Sequence, residues 1–378
     1  MALKVLITGS TPRLGLAFQF VHVATWLRRH GEDVVVTGCD GEASPGLFET
    51  LAAAKVPFYD LPSLRRTGLR QILFPAGGLA ALFDAVSPDV ALITTAGHVA
   101  EARGRDKGKP WVVYWLQSVR NTTFYAKWAR RIAAMTVNRW SDQVWIQCEL
   151  EKQQMLAAGV RGDLVRLVPT PIDTEWWERA AREPLTEDFV AVASAKASGR
   201  HVLVYPASLL PAKRHDTLLR AIAIVKKRFP DLLLCCPGRY SAHRLRPLVS
   251  TLGLDGNVIF TESLVRQEAI PPLLAAADLV VFSSESETYG KALIEGFCIG
   301  VPTVSTRVGV AFEAEQAGAA LVCDVGDHET MARHIVCLLE NREVAEQMKV
   351  KARNWVKENY SFQAVGERMV GLMESLVR

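Results

Sequence analysis

Short apolar segments of strand length alternate with amphipathic helical segments along almost the whole chain. In the first half, strands are predicted at residues 3–8, 34–37, 90–94, 111–116 and 143–147. Helices are predicted between them at residues 18–30, 71–86 and 123–139. Strands that follow one another through helices pair in parallel by right-handed crossovers. The alternation therefore predicts an α/β fold with a doubly wound, Rossmann-like parallel sheet.

The same alternation starts again after an irregular stretch. Residues 178–200 are charged and show no clear period, so we predict a linker there. Beyond it, helices again separate predicted strands at residues 202–206, 232–237, 258–260, 279–282, 303–305 and 320–323. A chain of 378 residues is long enough for two domains of ordinary size.

These patterns predict two doubly wound domains that face a cleft. The first domain spans residues 1–173 and is completed by the C-terminal helix at about residues 358–378. The second domain spans residues 174–357 and includes the linker. Ligands of such sheets bind at the carboxyl ends of the strands, so the cleft is the predicted binding site.

The composition favours a folded cytoplasmic protein. Hydrophobic residues make up 49% and charged residues 22%, and no run of eighteen apolar residues occurs. The apolar run within residues 1–9 is too short for a signal peptide. The seven cysteines include no C-x-x-C pair, which favours reduced thiols over disulfides or zinc ligands.

Residues 284–304 contain the clearest indication of a binding site. The segment leaves a predicted strand and enters a helix at Lys291, and Gly290 lets the backbone approach a ligand. The free N–H groups of a first helical turn suit a diphosphate. Glu287 and Glu295 flank this turn, and carboxylates accept hydrogen bonds from hydroxyl groups such as those of sugars. The alternative is a helix-start acid beside a solvated helix face.

The first strand-to-helix turn excludes two common nucleotide-binding classes. Residues 8–15 contain two glycines but no G-x-G-x-x-G, and the chain has no Walker A lysine motif. The sequence thus argues against a nicotinamide dehydrogenase and against a P-loop ATPase.

Positive charge is concentrated in residues 103–139, which hold nine basic residues against one acid, an excess of +8. Aromatic residues lie among them, including Trp111, Trp115 and Trp128. Basic and aromatic residues together suit an anionic membrane surface or an anionic acceptor. The alternative is a solvated helix whose aromatic residues face the core.

The second half resembles the nucleotide-sugar domain of the retaining glycosyltransferases of family 4, which have the GT-B fold. In that family a strand is followed by a glutamate, seven residues and a second glutamate, with an aromatic-glycine pair between them and a Gly-x-Pro segment after the helix. The matching residues here are Glu287, Tyr289-Gly290, Glu295 and Gly300-Val301-Pro302. Residues 205–220 resemble the family's diphosphate-binding segment, and residues 88–98 and 168–173 resemble its histidine loop and domain boundary.

The resemblance implies a retaining, metal-independent hexosyltransferase that moves a sugar from a UDP- or GDP-linked donor to a hydroxyl acceptor, such as a glycan or a lipid-linked molecule. It implies that Glu287 binds the transferred sugar, Lys213 neutralises the leaving phosphate and His98 lies near the reacting centre. The implied donor-binding residues are Ser208, Arg214, Tyr289, Gly290, Lys291, Ala292 and Glu295. Gly9 and Ser10 would form the glycine-rich loop on the acceptor side. No cofactor, metal or nucleic acid is expected, and no D-x-D pair is present.

Three positions depart from the family pattern. Ser208 stands where an arginine is usual, Gln117 where a histidine is usual, and Thr170-Pro171 replaces Asn-Gly. A non-catalytic sugar-nucleotide-binding protein on the same fold, or a sugar-nucleotide epimerase, therefore remains open as an alternative. Retention of Lys213, Glu287 and Glu295 favours the enzyme.

Overall fold

The computed structural model describes residues 2–8, 16–38, 47–61, 78–94, 96–101, 110–115 and 124–378. Two compact units are present. The first comprises Met1–Pro171 together with Phe362–Arg378, and the second is Ile172–Ser361. The chain thus passes from one unit to the other after Pro171 and returns after Ser361. The sequence predicts these two boundaries after residue 173 and at about residue 358.

The first unit contains a parallel sheet of seven described strands. They are β1 (Lys4–Thr8), β2 (Asp33–Gly38), β3 (Phe58–Asp60), β4 (Val90–Ile93), β5 (Trp111–Trp115), β6 (Gln143–Ile146) and β7 (Val165–Leu167). The described helices that connect them are α1 (Leu16–Arg29), α2 (Leu47–Ala53), α3 (Gly78–Val86), α4 (Ala96–Glu101), α5 (Phe124–Trp140) and α6 (Glu149–Ala157).

The second unit begins with two helices, α7 (Thr174–Ala180) and α8 (Val190–Ala197). Its strands are β8 (Val202–Val204), β9 (Leu233–Cys236), β10 (Val258–Phe260), β11 (Leu279–Phe282), β12 (Thr303–Thr306) and β13 (Leu321–Cys323). The helices that follow α8 are α9 (His215–Val225), α10 (Arg246–Thr251), α11 (Ile270–Ala276), α12 (Lys291–Ile299), α13 (Ala311–Gln316), α14 (His328–Glu340) and α15 (Arg342–Tyr360). The chain then returns to the first unit in α16 (Phe362–Val377).

The strand order defines one reversal point in each sheet. The order is β3-β2-β1-β4-β5-β6-β7 in the first unit and β10-β9-β8-β11-β12-β13 in the second. The chain therefore reverses direction across the sheet between β1 and β4, and again between β8 and β11. Crevices at such points hold ligands in doubly wound folds. The predicted fold class, α/β with two doubly wound parallel sheets, is confirmed.

Burial on both faces of the first sheet explains why its strands are continuously apolar. Along β1, Val5 and Ile7 pack into one cluster and Leu6 packs into another. Parallel sheets covered by helices on both sides require this pattern. Helix α16 contributes Val365 and Met369 to the first of these clusters, so the C-terminal helix is part of that core.

The predicted linker is the main error in the sequence analysis of the fold. Residues 178–200 are not irregular, because they contain the end of α7, a 3₁₀ turn at Glu187–Phe189 and α8. Phe189 and Val192 are fully buried, while charged residues cover the exposed side of these short elements and obscure their period. Residues 168–173, which resemble the family's boundary strand, contain the division between the units at Pro171 but are not a strand, since β7 ends at Leu167 and Asp173 caps α7 by accepting a hydrogen bond from the Trp176 N–H.

Substituting Gly366 should test how closely α16 packs on the first unit. A Cβ atom at Gly366 would collide with the Trp26 ring of α1, whereas one at Gly371 of the same helix would meet no atom within 4 Å. Gly366→Ala should therefore lower the free energy of unfolding by about 1–3 kcal/mol through overpacking. Gly371→Ala should leave it unchanged or raise it, because alanine favours a helix more than glycine does. Urea unfolding of both variants measures this, and equal effects would contradict the packing.

Candidate functional site

The loops that follow β8 and β11 meet at the reversal point of the second sheet. The two strands are paired, with Leu279 opposite Leu203 and Val280 opposite Val204. Beyond them, the Glu285 N–H donates to the Ala212 carbonyl over 2.9 Å. The two loops therefore form one hydrogen-bonded rim, and Lys213 and Glu287 both lie on it.

Lys213 and Glu287 form an ion pair on this rim. The Lys213 Nζ atom lies 2.5 Å from Glu287 Oε1, and Ser284 Oγ donates to the same oxygen over 2.7 Å. The Lys213 and Glu287 side chains are 25% and 20% exposed, so both are accessible from solvent. The structure thus brings together the two residues to which the sequence analysis assigns leaving-phosphate and sugar contacts.

Tyr205 lies fully buried beneath the ion pair. Its hydroxyl is 2.8 Å from the Lys213 carbonyl oxygen and 2.9 Å from Ser284 Oγ. The Ser283 hydroxyl donates to the same Lys213 carbonyl over 2.9 Å. Burial raises the pKa of the Tyr205 phenol well above its ordinary value, so the phenol keeps its proton and acts as a donor.

The turn that carries Lys213 is a 3₁₀ turn at Pro211–Lys213, and Arg214 follows it in the left-handed conformation at φ 47°. The Arg214 guanidinium makes two bonds of 3.1 Å to the Asp216 carboxylate and lies 3.8 Å from Glu285. Arg214 therefore fixes the start of α9 in this structure. A positive charge paired in this way supplies less potential to a phosphate than an unpaired one.

His215 packs against Tyr205 at the base of the same turn. The two ring centroids are 4.7 Å apart, and His215 is 3% exposed. Burial, followed by the positive charge of Lys213, lowers the pKa of His215 to about 4. The imidazole is therefore neutral near pH 7 and adds no charge to the site.

Helix α12 supplies the predicted anion-binding turn. Gly290 adopts φ 90° at its start, a conformation that favours glycine, and the Leu293 N–H donates to its carbonyl. The N–H groups of Lys291 and Ala292 belong to the first turn, where the helix dipole is positive. Tyr289 is 6% exposed, and its carbonyl accepts from the Val310 N–H, so its side chain is part of the core.

Glu295 lies one turn further along α12. Its side chain is 15% exposed and its carboxylate is 3.5 Å from Lys291 Nζ. Burial raises the pKa of Glu295, and the ammonium of Lys291 partly offsets this. The carboxylate of Glu295 and the ammonium of Lys291 thus lie on one side of the turn, and the ribose-binding role of Glu295 stays a prediction.

His98 belongs to the first unit and lies in α4, which follows β4 at the reversal point of that sheet. Its side chain is fully buried. Gly9, Ser10 and Gln117 lie outside the described residues. The roles assigned to His98 and to the glycine-rich loop therefore stay predictions. Thr170 is described, and its hydroxyl donates to Gln147 Oε1 over 2.6 Å.

The sequence analysis misses the three buried residues that support the rim, which are Tyr205, Ser284 and His215. Their residue types have no strong functional pattern, and Tyr205 reads as the end of an apolar strand. The sequence does signal Ser284, because it is a polar residue that follows the buried strand β11 almost directly, as Ser283 also does.

The basic segment divides into a buried part and an exposed part. On β5, Trp115 is fully buried and Tyr114 is 7% exposed, so these two side chains belong to the core, and Trp111 packs against the core while partly exposed. On α5, Arg131, Met135 and Arg139 are exposed and follow one another at four-residue spacing. Met135 is 70% exposed. The described side chains of α5 thus include a basic, solvent-facing stripe.

The described residues lack both a membrane-spanning helix and a metal-binding cluster. No described helix combines the length and the hydrophobicity that a membrane-spanning segment needs. The described part of the chain also contains no group of three or more side chains arranged to hold a metal ion.

The two doubly wound parallel sheets are those of the GT-B fold class. Residues 187–355 match the family model described as "Glycosyl transferases group 1", and residues 15–171 match the model of the "Glycosyl transferase 4-like domain". The two models together span most of the chain. The chain belongs to the family-4-type glycosyltransferases of the GT-B fold.

Two similar proteins act on different substrates. One is the N-acetyl-alpha-D-glucosaminyl L-malate synthase of Bacillus anthracis, 32% identical over 46% of this chain and 44% of that protein. Another is the GDP-mannose-dependent alpha-(1-6)-phosphatidylinositol monomannoside mannosyltransferase of Mycolicibacterium smegmatis, 31% identical over 46% of this chain and 48% of that protein. The chain thus aligns with about half the length of these relatives.

Solved structures share the fold over the full length. The Anabaena HepE protein in complex with UDP superimposes with a TM-score of 0.78 over 99% of this chain and all of that one, at 18% identity. A glycosyltransferase from Rickettsia africae gives a TM-score of 0.80 over 100% of this chain and 99% of that one, at 16% identity. At such identities the similarity establishes the fold alone.

His215 should make the stability of the second unit depend on pH. Because its pKa in the folded protein is about 4, against an ordinary value of 6.5, the unfolded chain binds a proton first as the pH falls. The stabilisation is therefore complete above pH 6.5 and is lost as the pH falls toward 4, by about 3 kcal/mol at most. His215→Gln should remove this part of the pH dependence in urea unfolding. His243→Gln, at an exposed histidine, is the control, and equal pH profiles for wild type and His215→Gln would contradict the assignment.

Proposed function

We propose that this protein is a glycosyltransferase that moves a sugar from a nucleoside-diphosphate sugar to a hydroxyl acceptor with retention of configuration. The observation that carries the proposal is the contact of Lys213 with Glu287 on the rim between β8 and β11, next to the start of α12. A cation, a carboxylate and a helix N-terminus in one place match the three parts of such a donor: phosphate, sugar hydroxyls and diphosphate.

The chemistry follows from where charge develops. As the bond between the sugar and the diphosphate breaks, negative charge accumulates on the leaving phosphate. Lys213 and the first-turn N–H groups of α12 stabilise that charge more in the transition state than in the ground state, which is the condition for catalysis. Their positive potential serves the role that a metal ion has in other transferases. Glu287 then holds the transferred sugar by its hydroxyl groups.

The ion pair implies an exchange of partners when the donor binds. In the structure, Lys213 is neutralised by Glu287. A donor phosphate would draw the Lys213 ammonium away, and a sugar hydroxyl would donate to the carboxylate in its place. The donor must therefore compete with an internal contact, and both halves of the donor contribute to that competition.

UDP- and GDP-linked hexoses are the donors that we propose. A similar structure contains UDP, and a similar enzyme is named as GDP-mannose-dependent. His98 is proposed to lie near the reacting centre, and Gly9 and Ser10 to form the acceptor-side loop.

Replacing the two rim residues should separate sugar transfer from nucleotide binding. Glu287→Ala should lower transfer by about 10²-fold, because the sugar loses its hydrogen-bond acceptor. The same variant should bind the nucleoside diphosphate at least as tightly as wild type, since Lys213 is released from its partner. Lys213→Ala should weaken that binding by about tenfold or more, as expected for a lost charge-assisted bond.

Release of nucleoside diphosphate from a panel of nucleotide sugars measures transfer, and calorimetry with UDP and GDP measures binding. Lys227→Ala, which removes an exposed lysine of the same unit, is the control for loss of charge. Native transfer rates in both Glu287→Ala and Lys213→Ala would show that the donor site lies elsewhere.

We also propose that the acceptor is presented at an anionic membrane surface and that α5 binds there from the cytoplasmic side. The exposed stripe of Arg131, Met135 and Arg139 supports this. Each basic residue near an anionic surface contributes about 1 kcal/mol, so a cluster gives reversible attachment.

Vesicle sedimentation should detect this attachment. The protein should pellet with vesicles that contain anionic lipid, and less so as salt is raised, because screening weakens the attraction. Replacing Lys127, Arg130, Arg131 and Arg139 by Ser should abolish pelleting. Replacing Lys227, Arg228, Arg244 and Arg342, four exposed basic residues of the second unit, removes the same charge and should have little effect. A protein that stays in the supernatant at low salt would favour a small soluble acceptor.

A further inference from the structure

We infer that Ser284 and Tyr205 are positioning residues for the donor sugar, acting through a hydrogen-bond chain from Tyr205 through Ser284 to Glu287. The inference rests on the proposed function and deepens it, because it names the residues that hold the sugar-binding carboxylate. Neither residue needs to touch the donor. Their effect is to keep Glu287 in place when Lys213 turns from it to the phosphate.

Counting protons gives the chain its direction. Ser284 Oγ donates its only hydrogen to Glu287 Oε1 over 2.7 Å. In the 2.9 Å contact between Ser284 Oγ and Tyr205 Oη, the serine must then be the acceptor, so the phenol donates. The phenol also lies 2.8 Å from the Lys213 carbonyl, and its single hydrogen is shared between two acceptors.

The Lys213 carbonyl does not depend on Tyr205 alone. Ser283 Oγ donates to the same carbonyl over 2.9 Å. The Tyr205 hydrogen is therefore available to Ser284 without leaving a buried carbonyl unsatisfied. Ser283 and Ser284 are adjacent buried serines with different tasks, since one holds the backbone of Lys213 and the other holds the side chain of Glu287.

Burial of its residues keeps the hydrogen-bond chain from Tyr205 to Glu287 rigid. Tyr205, Ser283 and Ser284 are each 0% exposed. The Tyr205 ring packs edge-on against Phe282 at 5.7 Å and in a tilted arrangement against His215 at 4.7 Å, and the Ser284 carbonyl accepts from Thr306 Oγ1 over 2.6 Å. Hydrogen bonds that water cannot replace are stronger and better directed than exposed ones. Among Tyr205, Ser284 and Glu287, solvent reaches only Glu287, whose side chain is 20% exposed.

The consequence concerns the exchange of partners at Lys213. Glu287 Oε1 has two donors in the structure, Lys213 Nζ and Ser284 Oγ. When Lys213 moves to the donor phosphate, Ser284 is the donor that stays. We therefore expect Oε1 to remain anchored by Ser284 while Oε2 accepts from a sugar hydroxyl.

Calorimetry on the full chain tests the inference with two probes, the nucleotide sugar that wild type consumes and the matching nucleoside diphosphate. Ser284→Ala should weaken binding of the intact donor by about tenfold, on the scale of a hydrogen bond to a charged group, and change binding of the nucleoside diphosphate less than twofold. Tyr205→Phe, which keeps the ring, should give a smaller effect in the same direction. Equal weakening for both probes would overturn the inference.

A double-mutant cycle with Glu287→Gln separates positioning from general damage to the fold. If Ser284 acts through Glu287, Ser284→Ala should cause no further loss of donor affinity in the Glu287→Gln background. Ser283→Ala is the matched control, and its effect should be the same in both backgrounds. Additive effects for Ser284→Ala would overturn the inference while leaving the proposed function intact. A wild-type protein that neither binds nor cleaves any nucleotide sugar would overturn the proposed function, and the inference with it.

Discussion

The Lys213 carbonyl oxygen joins the two loops that form the proposed donor site. It accepts hydrogen bonds from Ser283, which follows β11, and from Tyr205, which follows β8. These bonds hold the basic turn against the carboxylate-bearing loop across the point where the strand order reverses. They act together with the bond from the Glu285 N–H to the Ala212 carbonyl, which joins the same two loops. The position of α12, and hence of its N–H groups, follows from the same strand, β11, so one buried contact fixes cation, carboxylate and helix start together.

The sequence predicts the strands of the second unit well because each is an apolar run bounded by turn residues. The strands Val258–Phe260 and Leu279–Phe282 are predicted to the residue. The turn at Gly290 is equally well predicted from the sequence, because a positive φ and a helix start both have strong residue preferences. The pairing of Lys213 with Glu287 cannot be predicted from residue preferences in the same way. It depends on β8 and β11 being neighbours in the sheet, although seventy-four positions separate the two residues along the chain.

The remaining misses have related physical causes. Residues 178–200 read as irregular because α7 and α8 are too short to display a period, and tertiary burial of Phe189 and Val192 stabilises them instead. Tyr205 and Ser284 read as ordinary core and loop residues because their importance lies in a hydrogen-bond chain, which has no sequence spacing. The aromatic residues of β5 read as a membrane-binding group because composition records which residues are near one another in sequence and not which way they face.

The path of the chain between the units determines the order in which they can form. Ile172–Ser361 is one uninterrupted segment, whereas the other unit needs Phe362–Arg378 to cover the sheet face that includes Val5 and Ile7. On a ribosome, the second unit is therefore complete while the unit synthesised first still lacks α16. Domains fold as they emerge, so the part of this sheet face that α16 covers stays exposed for that interval, although α1 covers the rest of the same face. Loss of α16 would thus expose the first unit to aggregation and leave the second unit, with the proposed donor site, intact.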